Sequence, residues 1–557
     1  MLLNDFHSGW QNKARTDLMN KDAVMYVRDA RFDKLGSVRP RRSCKEDSYF
    51  KGLESSHWIR SLYMVDVEGV GKRLVFYMAN GVVYCYNTAT GVTRTVATTV
   101  VANKFTYAAM KPSKSNVTYV YGTNGSTMFC DNGTTTKTWG IDPPGGSPWV
   151  TMAGSGGALS AGDYRYVYTF YDNQTGSESD PCGAGIAVTA AATDLATVSD
   201  IEVSTNSRAG VRRVYRTYAN GGFYYLVRTL TGSASGFVDG TADSDLGIKL
   251  VDDQGIPPLA SWVVGYNNRL FLCGSENYPN RVWFSRTNAP DNWPSTYYLE
   301  VGSSDDARAH VGALGKYTIA SGPDGVYFLG PEGVYVFDGL KCVNISEPVG
   351  RTFGKFSSTW IDRVNWDLVD NARGCFWRGV YYVSLPLVEN DEGTGYFIVS
   401  YDVAHKVWMC DQVDTTGWAL WCDQSRDVLY GCVLSEDESY KTVVEMFSEE
   451  SRELYPPSVE FVSREVDIPN ECAPKGKGRG VWWLRKFRVD AVGDWTVYFY
   501  VDGTLVHTQA MTGLDASDRY YWYDLPGSTK GRMLQVKVVA TGVIEPGSYE
   551  FKGIEVV

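Results

Sequence analysis

At 557 residues the chain is too long for one hydrophobic core and is expected to divide into roughly three or four domains. Aromatic residues make up 14% of it, Tyr, Thr, Val and Gly are plentiful, and apolar residues do not recur over long stretches at helical spacing, so a helical bundle is excluded and sheet is favoured. A net charge of −11 argues against a general nucleic-acid binder, whose footprint is a basic surface that displaces phosphate counterions.

The opening, MLLNDFHSGW, lacks the basic, apolar and small-residue regions of a secretory signal, and no apolar run reaches the length of about eighteen residues that a bilayer span needs. A soluble protein made in the cytoplasm is expected. The charge is unevenly spread. Residues 13–45 hold ten Lys or Arg against four Asp, giving +6 there and −17 for the rest of the chain. A basic arm on an acidic body predicts docking to another acidic surface, with Arg28, Arg31, Arg39, Arg41 and Arg42 as the candidate docking residues. The alternative is an arm that is merely solvated.

From Arg60 to Glu450 one phrase recurs, in which an apolar strand, a turn rich in Gly, Asn or Asp and a second strand follow one another. Six copies start at Arg73, Val117, Arg269, Gly325, Gly379 and Val428. Turn residues that accept positive φ, such as Asn80-Gly81, Asn124-Gly125 and Glu332-Gly333, make each copy a β-hairpin. A lone hairpin cannot bury both faces, whereas small sheets stacked radially cover one another, so a β-propeller of roughly six blades is expected. The prolines of IDPPGGSPWV (141–150) and Ile256-Pro257-Pro258 bracket an interruption. Within it GDYRYVYTFYD sets Tyr164, Tyr166, Tyr168 and Phe170 on one face, and VRRVYRTYANGGFYYLVRTL reads as two strands about Gly221-Gly222, which indicates an inserted β-sandwich of fibronectin type III kind.

After Tyr455-Pro456-Pro457, WTVYFYVDGTLV alternates Trp495, Val497, Phe499 and Val501 against polar positions and turns at Asp502-Gly503, and MLQVKVVA alternates Leu534, Val536 and Val538. A C-terminal β-sandwich is expected, with Phe487, Val489 and Ala491 on its buried face; the neighbouring Lys475, Lys477, Arg479, Trp482, Trp483, Arg485, Lys486 and Arg488 read as charges that protect an exposed strand, or as a stacking surface. The all-β chain thus divides into a basic arm (1–45), propeller blades (46–141), the inserted sandwich (142–258), further blades (259–455) and the C-terminal sandwich (456–557).

No catalytic constellation emerges. The five histidines are far apart without H-E-x-x-H or H-x-H spacing, and the eleven cysteines are scattered without a C-x-x-C pair, so reduced, packed thiols are expected. Asp252-Asp253, Asp305-Asp306 and the Glu389–Glu392 tip lack the ligand order of an EF-hand and read as solvated turns. SGPDGVYF (321–328) departs from the aspartate box of sialidase propellers and occurs once. No catalytic, cofactor-binding or metal-binding residue is therefore assigned, and the chain is read as a non-enzyme. Trp377, Trp408, Trp418 and Trp421 would form a sugar platform in a glycan-binding or glycan-cleaving propeller, but they fall at strand ends where packing between blades is the simpler role.

Three stretches resemble the tail nozzle family of short-tailed bacteriophages, also called tail tubular protein B or packaged-DNA stabilisation protein. The start resembles the family's N-x-x-F-D-x-x-G-x-x-R-x-R segment, here Arg31-Phe32-Asp33, Gly36 and Arg39 to Arg42, with Arg28 set against the family's asparagine. NNRLFLCGSENYPNRVWFSRTNAPDNWP and GVYFLGPEGVYVFDGLKCVNISEPVG resemble its blades, and GDYRYVYTFYDNQTGSESDP with RRVYRTYANGGFYYLV resembles its interposed domain. The resemblance implies a virion structural protein, a homo-hexamer beneath a ring of tail adaptor (head-to-tail connector) proteins and beside tail fibres or tailspikes, with duplex DNA passing through the channel without sequence-specific binding and with no membrane-spanning segment. An acidic body suits a duct that must let phosphate slide. A baseplate or fibre-attachment protein of the same architecture is the alternative.

Overall fold

A computed structural model describes the chain except residues 1, 5, 13–18, 33–35, 48–49, 51–56, 68–70, 100–103, 301–311, 354–362, 390–392, 413–414, 424–425, 435–440, 449–456, 468–481, 516–517, 519–520, 528 and 542–548. The protein is all-β, built largely from four-stranded antiparallel sheets in an arrangement consistent with a β-propeller. It divides into two compact units, Tyr63–Ala307 and the pair of segments Met1–Leu62 with Arg308–Val557.

Each of the six hairpins read from sequence occupies the middle of one sheet. The first sheet runs Ile59–Val67, Gly71–Ala79, Val82–Asn87 and Val92–Thr98, and the second Thr106–Met110, Tyr119–Thr123, Met128–Asp131 and Thr136–Lys137. The third comprises Trp262–Tyr266, Arg269–Cys273, Arg281–Phe284 and Tyr298–Glu300. Two inner strands are covered on both faces, with Val75 to Ala79 and Tyr119 to Thr123 all buried, whereas the edge strand Val92–Thr98 is mostly exposed. The turn at Asn80 (φ 49°) and Gly81 (φ 74°) has the left-handed pair that a two-residue hairpin demands, and a Cβ on Gly81 would stand 2.9 Å from the Thr99 carbonyl.

Between the second and third sheets the insert forms two facing sheets around one core. Trp149–Ala153, Leu195–Ser199 and Phe237–Asp239 make the first, and Ala187–Ala190, Gly162–Tyr171, Val211–Thr217 and Tyr224–Leu230 the second. Tyr164, Tyr166, Tyr168 and Phe170 all enter that core. The predicted Gly221-Gly222 turn is carried instead by Asn220 at φ 54°, because a short amide side chain tolerates the left-handed region. At the end of the strand Gly162–Tyr171 the Tyr171 hydroxyl accepts at 2.6 Å from the Nζ of Lys114, in the loop between the first two strands of the second sheet.

The seam beneath the insert is ionic. Arg208, fully buried, donates to Asp172 at 3.0 Å, to both oxygens of Asp291 at 2.9 and 2.7 Å and to the Thr138 carbonyl at 2.8 Å. Asp291 also accepts from the Ser177 hydroxyl and the Gly140 amide. One guanidinium thereby joins the insert to the segment leaving the second sheet and to the loop between the last two strands of the third.

The other unit holds three further sheets. The fourth is Gly315–Gly322, Gly325–Gly330, Gly333–Phe337 and Cys342–Asn344. The fifth has five strands, Arg363–Val364, Arg373–Trp377, Val380–Glu389, Gly393–Asp402 and Val407–Gln412. The sixth has Thr415–Asp423, Val428–Leu434 and Lys441–Glu445, and its fourth strand is Lys45–Glu46 from the beginning of the chain, registered with Glu445 and Val444. Asp47, just beyond, accepts from Arg426 at 2.8 Å and from the Tyr430 hydroxyl at 2.6 Å, which fastens that strand.

The C-terminal module is not made by residues 456–557 alone. Leu2–Asn4, Val24–Arg28, Ala30–Phe32 and Val38–Pro40, from the stretch read as a separate arm, pair into it. Its spine is the 16-residue strand Lys486–Val501, which pairs with Glu550–Val556 along its first half and with Met533–Ala540 along its second. The switch falls at Gly493, whose φ of 100° and 2.7 Å clearance to the Tyr549 ring admit no side chain, beside the buried Trp495. Phe487, Val489 and Ala491 and the alternating Trp495 to Val501 set all face the core.

The seam at Arg208 generates a prediction. Burial by itself would raise the Asp291 carboxyl, but Arg208 and Ser177 hold it below its ordinary 3.8. The stabilisation is therefore complete above pH 3.8 and is lost as pH falls through the lower folded value. Thermal melts of the wild type and Asp291→Asn are expected to differ most near neutrality and to converge in strong acid. At pH 7 Arg208→Leu, which strands two buried carboxylates, is expected to cost about 3–5 kcal/mol in denaturant unfolding.

Candidate functional site

The docking reading placed five arginines on one arm, and the structure separates them. At the centre lies Asp29, between the strands Val24–Arg28 and Ala30–Phe32, with a left-handed φ of 54°. One of its carboxylate oxygens accepts from Arg41 Nε at 2.7 Å and from the Gln412 amide at 2.9 Å, and the other accepts from the Ser458 amide at 2.9 Å. Arg41 is buried with it, and its remaining donors reach the Arg42 and Gln412 carbonyls. Arg31 forms a fork with Asp411, Nη1 to Oδ1 at 2.5 Å and Nη2 to Oδ2 at 2.8 Å, and lies over the Phe447 ring. Burial opposes its charge, yet Asp411 raises its pKa.

Arg31 and Arg41 are thus engaged within their own chain, where they bind the N-terminal segment to the last strand of the fifth sheet. Arg28 is half-buried, donating to the Tyr26 hydroxyl at 2.8 Å and lying over the Tyr26 and Phe397 rings. Arg39 is exposed and pairs with Glu550 at 2.7 Å; although burial raises that carboxyl, bonds from Arg39 and Ser37 bring it below the usual range. Arg42 is exposed. The surface offered by the predicted set is therefore that of Arg39 and Arg42. Lys13, Arg15 and Lys34 of the arm lie outside the described residues.

Asp29 and Asp411 were missed by charge counting, which weighs cations and not what they meet. A signal did exist: counting back from Phe32, the family's asparagine position falls on Asp29 and not on Arg28, and Asn or Asp are the side chains that a left-handed backbone accepts. The alignment of Arg28 with that asparagine is corrected accordingly.

The other candidate chemistry resolves into packing. Trp408 is buried against Tyr401 and donates its indole N–H to the Ile345 carbonyl, Trp377 is buried against Tyr382, and Trp421 stacks on Tyr430. The Trp418 side chain lies outside the described residues, as do Asp305-Asp306, 390–392 and Lys475, Lys477 and Arg479. Asp253 uses its carboxylate on the Ser295 amide and hydroxyl. The described cysteines are free thiols, and burial lifts Cys44 to about 11 and Cys130 to about 12, which keeps them protonated at neutrality. Among the described residues no group of three or more His, Cys, Asp or Glu could hold a metal ion, and no helix is long and apolar enough to cross a membrane.

No family model matches the chain, and no curated protein does. Among solved structures it is similar to BBS1N in its complex with ARL6DN, at 8% identity and a TM-score of 0.28 over 74% of this chain and 98% of that one. It is also similar to a glycoside hydrolase family 43 arabinoxylan arabinofuranohydrolase of Bacillus subtilis in complex with cellotetraose, at 10% identity and a TM-score of 0.16 over 65% and 93%. A third, a putative oxidoreductase (glucose dehydrogenase) of Thermus thermophilus, gives 9% identity and a TM-score of 0.23 over 70% and 97%. Likenesses this loose carry no argument about activity or partners.

The Asp29 cluster predicts a sharp contrast in unfolding experiments. Asp29→Ala removes one partner of a buried ion pair and is expected to cost about 3–5 kcal/mol. Arg39→Ala, at an exposed ion pair, is expected to change stability by less than about 1 kcal/mol.

Proposed function

We propose that the chain is a structural, non-enzymatic subunit of the tail nozzle of a short-tailed bacteriophage, forming the distal channel that retains packaged DNA and lets it pass during ejection. The observation that carries this reading is the opening segment. The Arg31-Phe32-Asp33, Gly36, Arg39 to Arg42 phrase that resembles the nozzle family lies in the stretch that ends in the Lys45–Glu46 strand, which completes the sixth sheet. Such a strand suits a propeller, whose sheets keep their edges short and protected, because it covers the edge left by Lys441–Glu445.

In this reading the six sheets are six blades of one propeller, the insert is a side domain of fibronectin type III kind, and the N-terminal strands with the C-terminal strands form the sandwich. The virion is its location after synthesis in the host cytoplasm. Six copies surround the channel beneath the adaptor ring, and tail fibres or tailspikes attach at the flank. The body's −17 is suited to a wall that repels phosphate and lets the duplex slide. Docking to the adaptor rests on Arg39 and Arg42, the two of the five arginines that are exposed.

Light scattering and negative-stain imaging of the purified protein, alone and mixed with virion tail proteins, test the assembly. Six-fold rings, formed alone or on the adaptor, are the expected result; a monomer that ignores the adaptor would refute it. The double variant Arg39→Glu with Arg42→Glu is expected to keep the wild-type melting temperature within a few degrees and to lose adaptor binding. Normal binding would discard the docking surface.

A further inference from the structure

One groove of the unit Tyr63–Ala307 is lined largely by polar side chains. It has a volume of about 800 Å³, within the usual range for ligand sites, and lies where the loop after Thr106–Met110 meets the turn joining Trp262–Tyr266 to Arg269–Cys273. Asn116, Asn267, Asn268 and Asn288 line it together with Ser113 and Tyr266. Three further features make it a built surface. Asn267 and Asn268 sit at φ 47° and 56°, the left-handed pair of a tight hairpin turn, and Asn288 is left-handed too, at φ 54°. Backbone bonds tie the loops together, from the Asn288 amide to the Asn268 carbonyl at 2.8 Å and from the Ser113 amide to the Asn288 carbonyl at 2.9 Å. Tyr266 stands 75% exposed beside them.

We infer that this groove binds a glycan. Each asparagine amide offers two donors and an acceptor with two lone pairs, so four of them suit a ligand dense in hydroxyls that both donate and accept. An exposed tyrosine ring supplies an apolar face for the C–H side of a pyranose while its hydroxyl stays in water. No carboxylate is among the described residues lining the groove, so the proposal is binding without cleavage, since glycoside hydrolysis needs a pair of them. Duplex DNA fits less well. Lys111 and Arg269 are the cations of the lining, and Arg269 donates to the Ser285 carbonyl and lies over the Phe284 and Tyr297 rings, which leaves little for phosphate. The inference does not depend on the nozzle reading; on a virion it would give the particle a contact with surface polysaccharide.

The test uses the full chain on a printed array of neutral and uronate-bearing glycans, with a short duplex DNA measured in parallel by fluorescence anisotropy. Tyr266→Ala and Asn268→Asp are the variants, the second chosen because aspartate also accepts the left-handed turn position; unchanged melting temperatures show that both fold. Retention of a defined set of glycans by the wild type, weakened roughly tenfold or more in each variant, is the expected result. Capture of no glycan, capture that both variants leave unchanged, or loss of duplex binding instead of glycan binding in the variants would overturn the assignment. Neutral and uronate-bearing spots then tell which class of polysaccharide the groove takes.

Discussion

A carboxylate removed from water must be met by donors, and at Asp29 the donors come from three separate stretches of the chain. Arg41 follows it by twelve residues, Gln412 ends the fifth sheet and Ser458 opens the C-terminal module. None of these segments can leave without exposing the others to an unpaired buried charge, which is far more costly than the pair is stabilising. The N-terminal strands are therefore part of the C-terminal module, and the following residues are delivered to the edge of the sixth sheet. The strand Lys45–Glu46 is only two residues long, so its position depends on the Asp29–Arg41 and Asp47–Arg426 contacts on either side of it.

A similar solution recurs at Arg208. The insert leaves and rejoins the chain through proline- and glycine-rich segments that cannot pair as strands, so a rigid attachment has to come from side chains. A guanidinium with donors spread in a plane suits this, because it can bond two carboxylates and a carbonyl from different segments simultaneously. In the arm, charges that stand out in the sequence as a surface feature are in part consumed internally, as at Arg31 and Arg41. What remains on the surface is a smaller set, Arg39 and Arg42 in one unit and the amide-lined groove in the other.

The inner hairpins were legible because a strand covered on both faces must be apolar throughout, and Val75 to Ala79 or Tyr119 to Thr123 announce this without any partner being known. Their outer partners were not. Val92–Thr98 is a strand because it hydrogen-bonds to Val82–Asn87, and its mostly exposed residues carry little pattern of their own. The two-residue strand Lys45–Glu46 has no pattern at all. The alternation of Trp495, Val497, Phe499 and Val501 identified a buried face, but not that the same strand crosses at Gly493 from one set of partners to another.

Local chemistry, then, is what the sequence determined by itself. Side-chain periodicity and turn residues that accept positive φ specified the inner strands and their hairpins, since each depends on neighbours within a few residues. The fate of the charges and the partners of the edge strands were decided only by tertiary structure. Arg31 meets Asp411 across 380 positions and Arg39 meets Glu550 across 511, and such pairings are set by where the folded sheets bring the chain, which composition and spacing do not encode.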